Sequence, residues 1–280
     1  MPPPELFSTA ELATWRREGF VAGVRVGDDA LVERVRRGFA ELVEREGEEL
    51  QAAHPGPELQ GTDGEVGVMR AYGLHSREGW AAELAAAPAI RSRAAQLLGV
   101  EETVCITSGL ICKFGPSEAY HGWHQVAPLA PPPAAWRPDP CPCQDLLAMA
   151  APPAGGHFVS CWVAIDAVDA ENGAMQMLPG SHEAPLETAP TAAKGNLLGA
   201  HMAGRESVVT GSRAVDVELD AGACVFFHPM MAHRGPPNRS TRRRCGITHL
   251  FAPAEAWSDQ AIADRDRTLS VHRGQSKSKL

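Results

Sequence analysis

The chain has 280 residues, of which 44% are hydrophobic, and its formal net charge at pH 7 is −8. This length and apolar content are enough to bury a sizeable core, and no stretch reaches the roughly 20 apolar residues that span a membrane. Phosphate binding requires a basic face, which an acidic chain with one basic run, Arg242 to Arg244, does not favour. We therefore expect a small-molecule substrate and no nucleic acid partner.

The cysteines and the two ends of the chain bear on its cellular compartment. The seven Cys residues are odd in number, and none belongs to a CxxC pair of the kind that zinc knuckles and redox dithiols use. The first residues lack a basic region followed by an apolar run, so we expect no secretory signal and no disulfide-forming compartment. Ser278-Lys279-Leu280 is the tripeptide that directs proteins to peroxisomes. It predicts a peroxisomal location, with an import receptor as partner; the alternative is the cytoplasm.

The first hundred residues predict mainly helices. Ser8 and Glu11 form a capping box at the start of a short helix, and apolar residues recur at three- and four-residue steps from Asp29 onward. A further helix is predicted over residues 78–98, where Pro88 must end or kink it. We interpret these helices as packing elements.

From about Glu102 the apolar residues follow a period of two, in short runs separated by Gly, Pro and Asp. In the predicted strand 158–168, Val159 and Val163 face one side and Trp162 faces the other. Short strands that follow helices predict a mainly β fold, a jelly-roll barrel with a helical buttress. Further strands are predicted over residues 214–219, 223–228 and 245–251.

Two histidines, His124 and His233, are candidate ligands of a mononuclear iron site, which uses two imidazoles and one carboxylate. For a single histidine among eleven a structural role is the commoner outcome, but His233 is followed by Asn238 and Arg244. The chain between them turns into the next strand, where Arg244 can point into the barrel and pair with a carboxylate. The alternative for Arg244 is surface charge. Zinc hydrolysis is disfavoured because it does not explain the block from Asn238 to Arg244.

Several further blocks occur in a fixed order: WVAID at residues 162–166, ENGAM at 171–175 and LPGSH at 178–182. Together with the block from His233 to Arg244 they resemble the phytanoyl-CoA dioxygenase family, and the resemblance extends from residue 18 to residue 251. This family consists of Fe(II)- and 2-oxoglutarate-dependent oxygenases on a double-stranded β-helix, with a His-x-Asp pair and a distal His as metal ligands. The resemblance therefore implies this fold, with Fe(II), the cosubstrate 2-oxoglutarate, and ascorbate as an additional reductant.

The resemblance also implies roles for single residues. Gly235 departs from the pattern, because many family members have a hydroxyl residue two positions after the distal histidine. His182, His228 and His249 are candidates for hydrogen bonds to the metal ligands, although a structural role is the commoner outcome for each. The implied site residues are His124 and His233 on iron, Arg244 on the distal carboxylate of 2-oxoglutarate, Gln125 and Trp162 in the cosubstrate pocket, and Lys113 on a flanking strand.

The carboxylate expected two residues after His124 is missing, because position 126 is Val. Without residues 126–144, Asp145 would directly follow Gln125 and restore the family sequence His-Gln-Asp. That segment is rich in proline, which is unlike a barrel strand and typical of an extended or disordered insert. Asp145 is therefore the third predicted metal ligand.

Three interpretations of the insert 126–144 stay open. In the first, the insert is a retained intron and the spliced form is an active oxygenase. Val codons begin with GT and Gln can be encoded by CAG, which ends in AG; these are the dinucleotides expected at the two ends of an intron. Alternatively it is a genuine surface loop that lets Asp145 reach the iron, because loop-closure entropy grows slowly with length. In the third, Val126 occupies the ligand position, where family relatives that halogenate have a small residue and place chloride on the iron.

The family resemblance and the C-terminal tripeptide together predict 2-hydroxylation of a branched or long-chain fatty acyl-CoA in peroxisomes. The alternatives are a catalytically impaired or non-catalytic family member, and a hydroxylase or halogenase of another small molecule. The expected organisation is a single oxygenase domain over residues 1–280. It has a mainly helical part to residue 100, a jelly-roll core over 101–255 that contains the insert, and a tail over 256–280.

Overall fold

The computed structural model describes residues 6–52, 68–125, 158–183, 188–190, 200–202, 214–258 and 262. The insert 126–144, Asp145 and the C-terminal tripeptide lie outside these residues. The described strands, in chain order, are β1 (Phe20–Arg25), β2 (Val68–Tyr72), β3 (Thr103–Lys113), β4 (His121–His124), β5 (Val159–Ala164), β6 (Met175–Met177), β7 (Thr188–Pro190), β8 (Ala200–Met202), β9 (Val215–Val217), β10 (Ala223–Phe227), β11 (His233–Gly235) and β12 (Arg244–Pro253).

These strands form two main sheets and a separate β7–β8 pair. Among the described residues the larger sheet has the order β1-β10-β5-β12-β3-β2 and the smaller one the order β4-β11-β6-β9, with antiparallel neighbours throughout. Trp162 and Val225 of the larger sheet share a buried cluster with Met177 and Val217 of the smaller one. Two antiparallel sheets packed face to face confirm the predicted jelly-roll barrel.

The other face of the larger sheet is covered by helices. Val159 and Val163 on β5 share a buried cluster with Phe39 and Ile90 from the helical layer, whereas Trp162 faces the smaller sheet. The predicted two faces of this strand are therefore confirmed. The described helices are α1 (Thr9–Glu18), α2 (Asp29–Ala52), α3 (Leu74–Arg77), α4 (Gly79–Ala86) and α5 (Pro88–Leu98), with 3-10 turns at Ser181–Glu183 and Ala254–Ala256.

The helix signals in the sequence hold in detail. Ser8 and Glu11 form both hydrogen bonds of the capping box that begins α1. Pro88 occupies the first turn of α5, where its missing N–H is no loss, so the predicted segment 78–98 is divided into α4 and α5. None of the helices in the described ranges has the length and apolar character needed to cross a membrane.

Two strands in the first hundred residues were not predicted. β1 and β2 form the two edges of the larger sheet, where they pair with β10 and β3. The apolar alternation of β1 is interrupted at Gly23, which has a φ of +85° and lies where the pairing shifts between Ala22 and Val24. Such a bulge hides the period of two from the sequence, and glycine adopts this backbone conformation without strain.

Candidate metal and cosubstrate site

A cavity of about 170 Å³ is lined by both sheets. The smaller sheet contributes His124 and His233, and the larger sheet contributes Trp162, Arg244 and Thr248. Four of the predicted site residues, each on a different strand, thus meet at one place: His124, Trp162, His233 and Arg244. The packing of the sheets accounts for this, because the contributing strands present alternate side chains to the space between them.

The two imidazoles are neighbours across a strand pair. His124 on β4 is paired with His233 on β11, and their ring centroids are 4.1 Å apart. His124 Nδ1 lies 2.8 Å from the carbonyl of Gly122, and His233 Nδ1 lies 2.9 Å from the carbonyl of Met231. Since a carbonyl oxygen only accepts hydrogen bonds, each Nδ1 carries the proton and each Nε2 carries the lone pair. This tautomer is the one that binds a metal through Nε2.

Burial keeps both rings neutral. It lowers the pKa of His124 to about 4, against the opposing effect of backbone hydrogen bonds, and it lowers the pKa of His233 well below its ordinary value. Both rings are therefore ready to bind a cation at pH 7 without first losing a proton.

The hydrogen bonds that orient the two rings come from the backbone, and the three other candidate histidines do not line the cavity. His249 is on β12 next to Thr248, but its Nδ1 lies 3.7 Å from Cys105 Sγ, and it is not among the cavity-lining residues. His182 and His228 are 5.4 Å apart, ring to ring, and they too are absent from the cavity lining. No sequence motif marks a carbonyl two residues before a ligand, so this feature was not predicted.

Two neutral imidazoles suit iron(II), which completes its coordination with carboxylate and smaller ligands. Within the described ranges, no set of three His, Cys, Asp or Glu side chains is close enough to hold a metal ion. Asp145, the predicted third ligand, lies outside those ranges, so its contact with the metal stays a prediction. The described residues thus supply two of the three protein ligands that the family resemblance implies, the two histidines.

Arg244 lies at the start of β12 and points into the cavity. Its side chain is only 4% exposed, its guanidinium carbon lies 4.7 Å from the ring centroid of Trp162, and its Nε has no hydrogen-bond partner among the described residues. Burial lowers the pKa of Arg244 to about 10, so the group is still a cation at pH 7. A buried cation is costly unless an anion accompanies it, and a carboxylate is the anion that fits a guanidinium fork.

The two neighbouring arginines show how a surface charge in this run behaves, which was the alternative role for Arg244. Arg242 is exposed and bonds Asp169 at 2.7 Å, and Arg243 donates two hydrogen bonds to Asp166 at 2.7 and 2.6 Å. Arg243 also faces the helical layer, with its guanidinium over the ring of Phe39. In the basic run, these two therefore have protein carboxylates as partners, and Arg244 is the member that faces the cavity.

Lys113 is fully buried at the end of β3, directly opposite Arg244 in the strand pairing. Its Nζ donates hydrogen bonds to the carbonyls of Gly235, at 3.1 Å, and Pro236. Burial, together with the positive charges of Arg244 and Arg70, lowers its pKa. Lys113 holds the backbone that follows His233 and is not among the cavity-lining residues, although its strand β3 lines the cavity through other residues. A contact of Lys113 with the cosubstrate stays a prediction.

Gln125 follows His124 and was expected to line the cosubstrate pocket. Its side-chain amide donates to the carbonyl of Met230 at 2.6 Å and to that of Ser181 at 3.2 Å, and Gln125 is not among the cavity-lining residues. In the structure it ties the end of β4 to the segment that leads into β11. A direct contact with the cosubstrate stays a prediction.

Two buried residues near the site were not predicted. Arg70 on β2 lies 2.8 Å, Nη2 to Nε2, from His121, which lines the cavity three residues before His124. Burial and the neighbouring Arg70 lower the pKa of His121 well below its ordinary value. Arg70 and His121 are far apart in the sequence, and β2 itself was not predicted, so no local pattern could have joined them.

Comparison with known proteins bears on what this cavity is for. The family model for phytanoyl-CoA dioxygenase (PhyH) matches residues 15–246, most of the chain. The protein belongs to this family. Family members are Fe(II)- and 2-oxoglutarate-dependent oxygenases, as the sequence blocks and the two imidazoles led us to expect.

Curated relatives match over a shorter stretch. Dioxygenase lolE1 of Epichloe uncinata is 34% identical over 91 residues, which are 32% of this chain and 32% of that protein. The peroxisomal phytanoyl-CoA dioxygenase of Bos taurus is 29% identical over 97 residues, 35% of this chain and 29% of that enzyme. The matched segments thus span about a third of these relatives' own length.

Solved structures match over nearly the whole chain. The carbocyclase SnoK from nogalamycin biosynthesis, described as a non-heme alpha-ketoglutarate-dependent enzyme, superimposes with a TM-score of 0.64 at 20% identity and covers 89% of this chain and 85% of its own. EctD from S. alaskensis, solved with 2-oxoglutarate and 5-hydroxyectoine, has a TM-score of 0.62 at 15% identity, with 89% and 77% covered. At these identities the likeness establishes the fold.

Proposed function

We propose that the protein is an iron(II)- and 2-oxoglutarate-dependent oxygenase. The observation that carries this proposal is the meeting, in one cavity, of two neutral imidazoles and a buried arginine that has no carboxylate partner among the described residues. The imidazoles supply a metal site, and the arginine supplies the counter-charge for an acid that lies beside the metal. 2-Oxoglutarate has the two features this arrangement requires, a metal-chelating keto acid at one end and a second carboxylate at the other.

Each described residue has a defined task in this activity. His124 and His233 hold the iron through Nε2, and Arg244 binds the distal carboxylate of 2-oxoglutarate. Trp162 covers the guanidinium and, with the apolar walls, excludes water from the site. With iron and cosubstrate bound, the site gains an oxidant that is made from oxygen as 2-oxoglutarate is decarboxylated to succinate. The protein's contribution is to orient these groups and exclude competing reactions.

The test is the charge-transfer absorption that appears when Fe(II) and 2-oxoglutarate are added without oxygen. Four proteins are compared: the chain as written, the chain lacking residues 126–144, and each of these with Asp145→Ala. A band in the shortened chain alone means that the insert disables an oxygenase. A band in both forms that Asp145→Ala abolishes means that Asp145 reaches the iron across a genuine loop. If neither form gives the band, the proposed cofactors are wrong.

For the substrate we propose a branched or long-chain fatty acyl-CoA that is hydroxylated at carbon 2 in peroxisomes. Support comes from the peroxisomal phytanoyl-CoA dioxygenases of Bos taurus and Rattus norvegicus, each 29% identical over the matched segment, and from Ser278-Lys279-Leu280. The test is succinate formation with phytanoyl-CoA against free phytanic acid. Loss of peroxisomal import when the last three residues are removed from a fluorescent fusion tests the location.

A small natural product is the second candidate substrate, because the described cavity is small. As the described residues bound it, the cavity has about 170 Å³, close to the roughly 150 Å³ that holds a molecule the size of benzene, so 2-oxoglutarate would take up much of it. SnoK, which has a similar fold, is described as an enzyme of nogalamycin biosynthesis. If free small molecules stimulate succinate formation and acyl-CoA esters do not, this second candidate replaces the first.

A further inference from the structure

Gly235 lies at the centre of an unusual arrangement. Many family members carry a hydroxyl residue at this position, two residues after the distal histidine, and this chain has no side chain there. A Cβ built on Gly235 would lie 3.4 Å from His121 Nδ1, which is an ordinary contact distance. The nitrogen of His121 therefore occupies the neighbourhood that a hydroxyl at position 235 would reach.

The protonation of His121 follows from its partner. Arg70 Nη2 lies 2.8 Å from His121 Nε2, and a guanidinium can only donate hydrogen bonds. His121 Nε2 must accept, so the single proton of the neutral ring is on Nδ1. His121 is 9% exposed and lines the cavity, and its Nδ1 has no acceptor among the residues that the structure describes. Its N–H is a donor at the cavity wall that is available to a ligand.

The charges near this donor specify the ligand. Arg70 lies 2.8 Å from the His121 ring, Arg244 lines the same cavity, and Lys113 is directly opposite Arg244 in the strand pairing. Lys113 donates to the carbonyl of Gly235 itself, so it fixes the backbone that faces His121. A donor placed between buried cations favours a carboxylate oxygen over a neutral or cationic group.

We infer that His121 binds the distal carboxylate of 2-oxoglutarate through Nδ1–H, in place of the hydroxyl that other family members provide, and that Arg70 is the positioning residue that fixes its tautomer. The inference rests on the proposed function. It adds a second donor beside Arg244, on the opposite sheet, and it explains how a chain with Gly235 can retain the cosubstrate contact.

The test measures 2-oxoglutarate binding by anaerobic calorimetry on the iron-loaded protein, in whichever form binds iron in the preceding experiment. His121→Ala should weaken binding about tenfold or more, the loss of one charge-assisted hydrogen bond, with unchanged affinity for Co(II). Adding Gly235→Ser to His121→Ala should restore binding to within about threefold. Adding Gly235→Ala instead, which has the same Cβ without the hydroxyl, should restore nothing.

A second pair of variants tests Arg70 independently of any folding defect in His121→Ala. Arg70→Lys keeps a donor to Nε2 and should retain 2-oxoglutarate affinity, whereas Arg70→Met should weaken it about as much as His121→Ala. Equal binding by wild type and His121→Ala, or equal binding by the Ser and Ala double variants, would overturn the inference. If wild type itself binds no 2-oxoglutarate, the proposed function fails instead, so the two failures are distinguishable.

Discussion

The two faces of β12 differ in what they contact. The face toward the cavity carries Arg244 and Thr248, and the face toward the helices carries Cys245, Ile247 and Phe251. The helix-facing side is filled by apolar contacts within the protein itself. The cavity-facing side has a buried cation and leaves room for a molecule. On one face of this strand the side chains find their contacts when the protein folds. On the other face, the buried cation is left to be neutralised by a bound molecule.

The lesson is that burial alone does not identify a site, because both faces are buried. What distinguishes the cavity face is a charged group that has no partner of opposite charge among the described residues. The alternation of a strand makes this contrast possible between residues that are adjacent in the sequence. Arg243 pairs with Asp166, whereas Arg244 meets no carboxylate in the part of the chain that the structure describes. Substitutions on the two faces should accordingly have separable effects on cosubstrate affinity and on stability.

The largest effect is expected for Arg244→Met. It removes the cation of the cavity face while keeping a side chain of similar length, and two charge-assisted hydrogen bonds to a carboxylate are lost. The affinity for 2-oxoglutarate should fall by about a hundredfold or more, whereas Co(II) binding to His124 and His233 should stay unchanged. Arg242→Met is the matched control, because Arg242 is exposed and bonds Asp169. Equal losses in the two variants would contradict the assignment.

An intermediate effect is expected for Gly246→Ala. A Cβ at this position would lie 2.0 Å from the indole ring of Trp162, so the ring must move, and with it the surface on which Arg244 lies. We expect roughly tenfold weaker 2-oxoglutarate binding and a loss of about 1 to 3 kcal/mol in the free energy of unfolding, measured by calorimetry and urea unfolding. Gly79→Ala, where a Cβ meets nothing within 4 Å, is the control. Unchanged binding would show that Trp162 is not needed.

The smallest effect on the site is expected for His249→Phe, on the helix-facing side. Burial lowers the pKa of His249 to about 3, below the ordinary value of 6.5, so the unfolded chain binds the extra proton. The stability of the wild type should therefore fall as the pH drops from 6.5 toward 3, by at most about 1.4 kcal/mol per pH unit from this residue.

Urea unfolding at pH 7, 6 and 5 should show this slope reduced in His249→Phe. Its affinity for 2-oxoglutarate at pH 7 should equal that of the wild type. A variant whose stability changes with pH as steeply as the wild type would mean that other groups cause the acid sensitivity. A variant with weakened cosubstrate binding would mean that the two faces are not independent.

Much of this contrast was predictable from sequence. Alternation placed Trp162 on the face of β5 opposite Val159 and Val163, and the spacing from His233 to Arg244 indicated a turn into the next strand. The structure also shows what that turn depends on, since the Asn238 side chain accepts from Ser240 and donates to the carbonyl of Arg242. Local patterns are enough where strand alternation or a turn decides the outcome.

The parts that were missed depend on contacts between distant segments. β2 has no clear alternation because four of its five residues are buried, and its Arg70 meets His121 only after β2 pairs with β3. The carbonyls that orient the two imidazoles belong to the strand backbone and leave no trace in side-chain identity. Asp145 remains a sequence prediction.

The carbonyl contacts of the two imidazoles also bear on what an insertion after Gln125 can change. Among the described residues, the contacts that orient His124 come from Gly122, two residues upstream, and from its pairing with β11. A change in length after Gln125 therefore leaves the imidazole pair in place. The two proposed nitrogen ligands therefore do not depend on the length of the following segment, whereas the position of the third predicted ligand, Asp145, does.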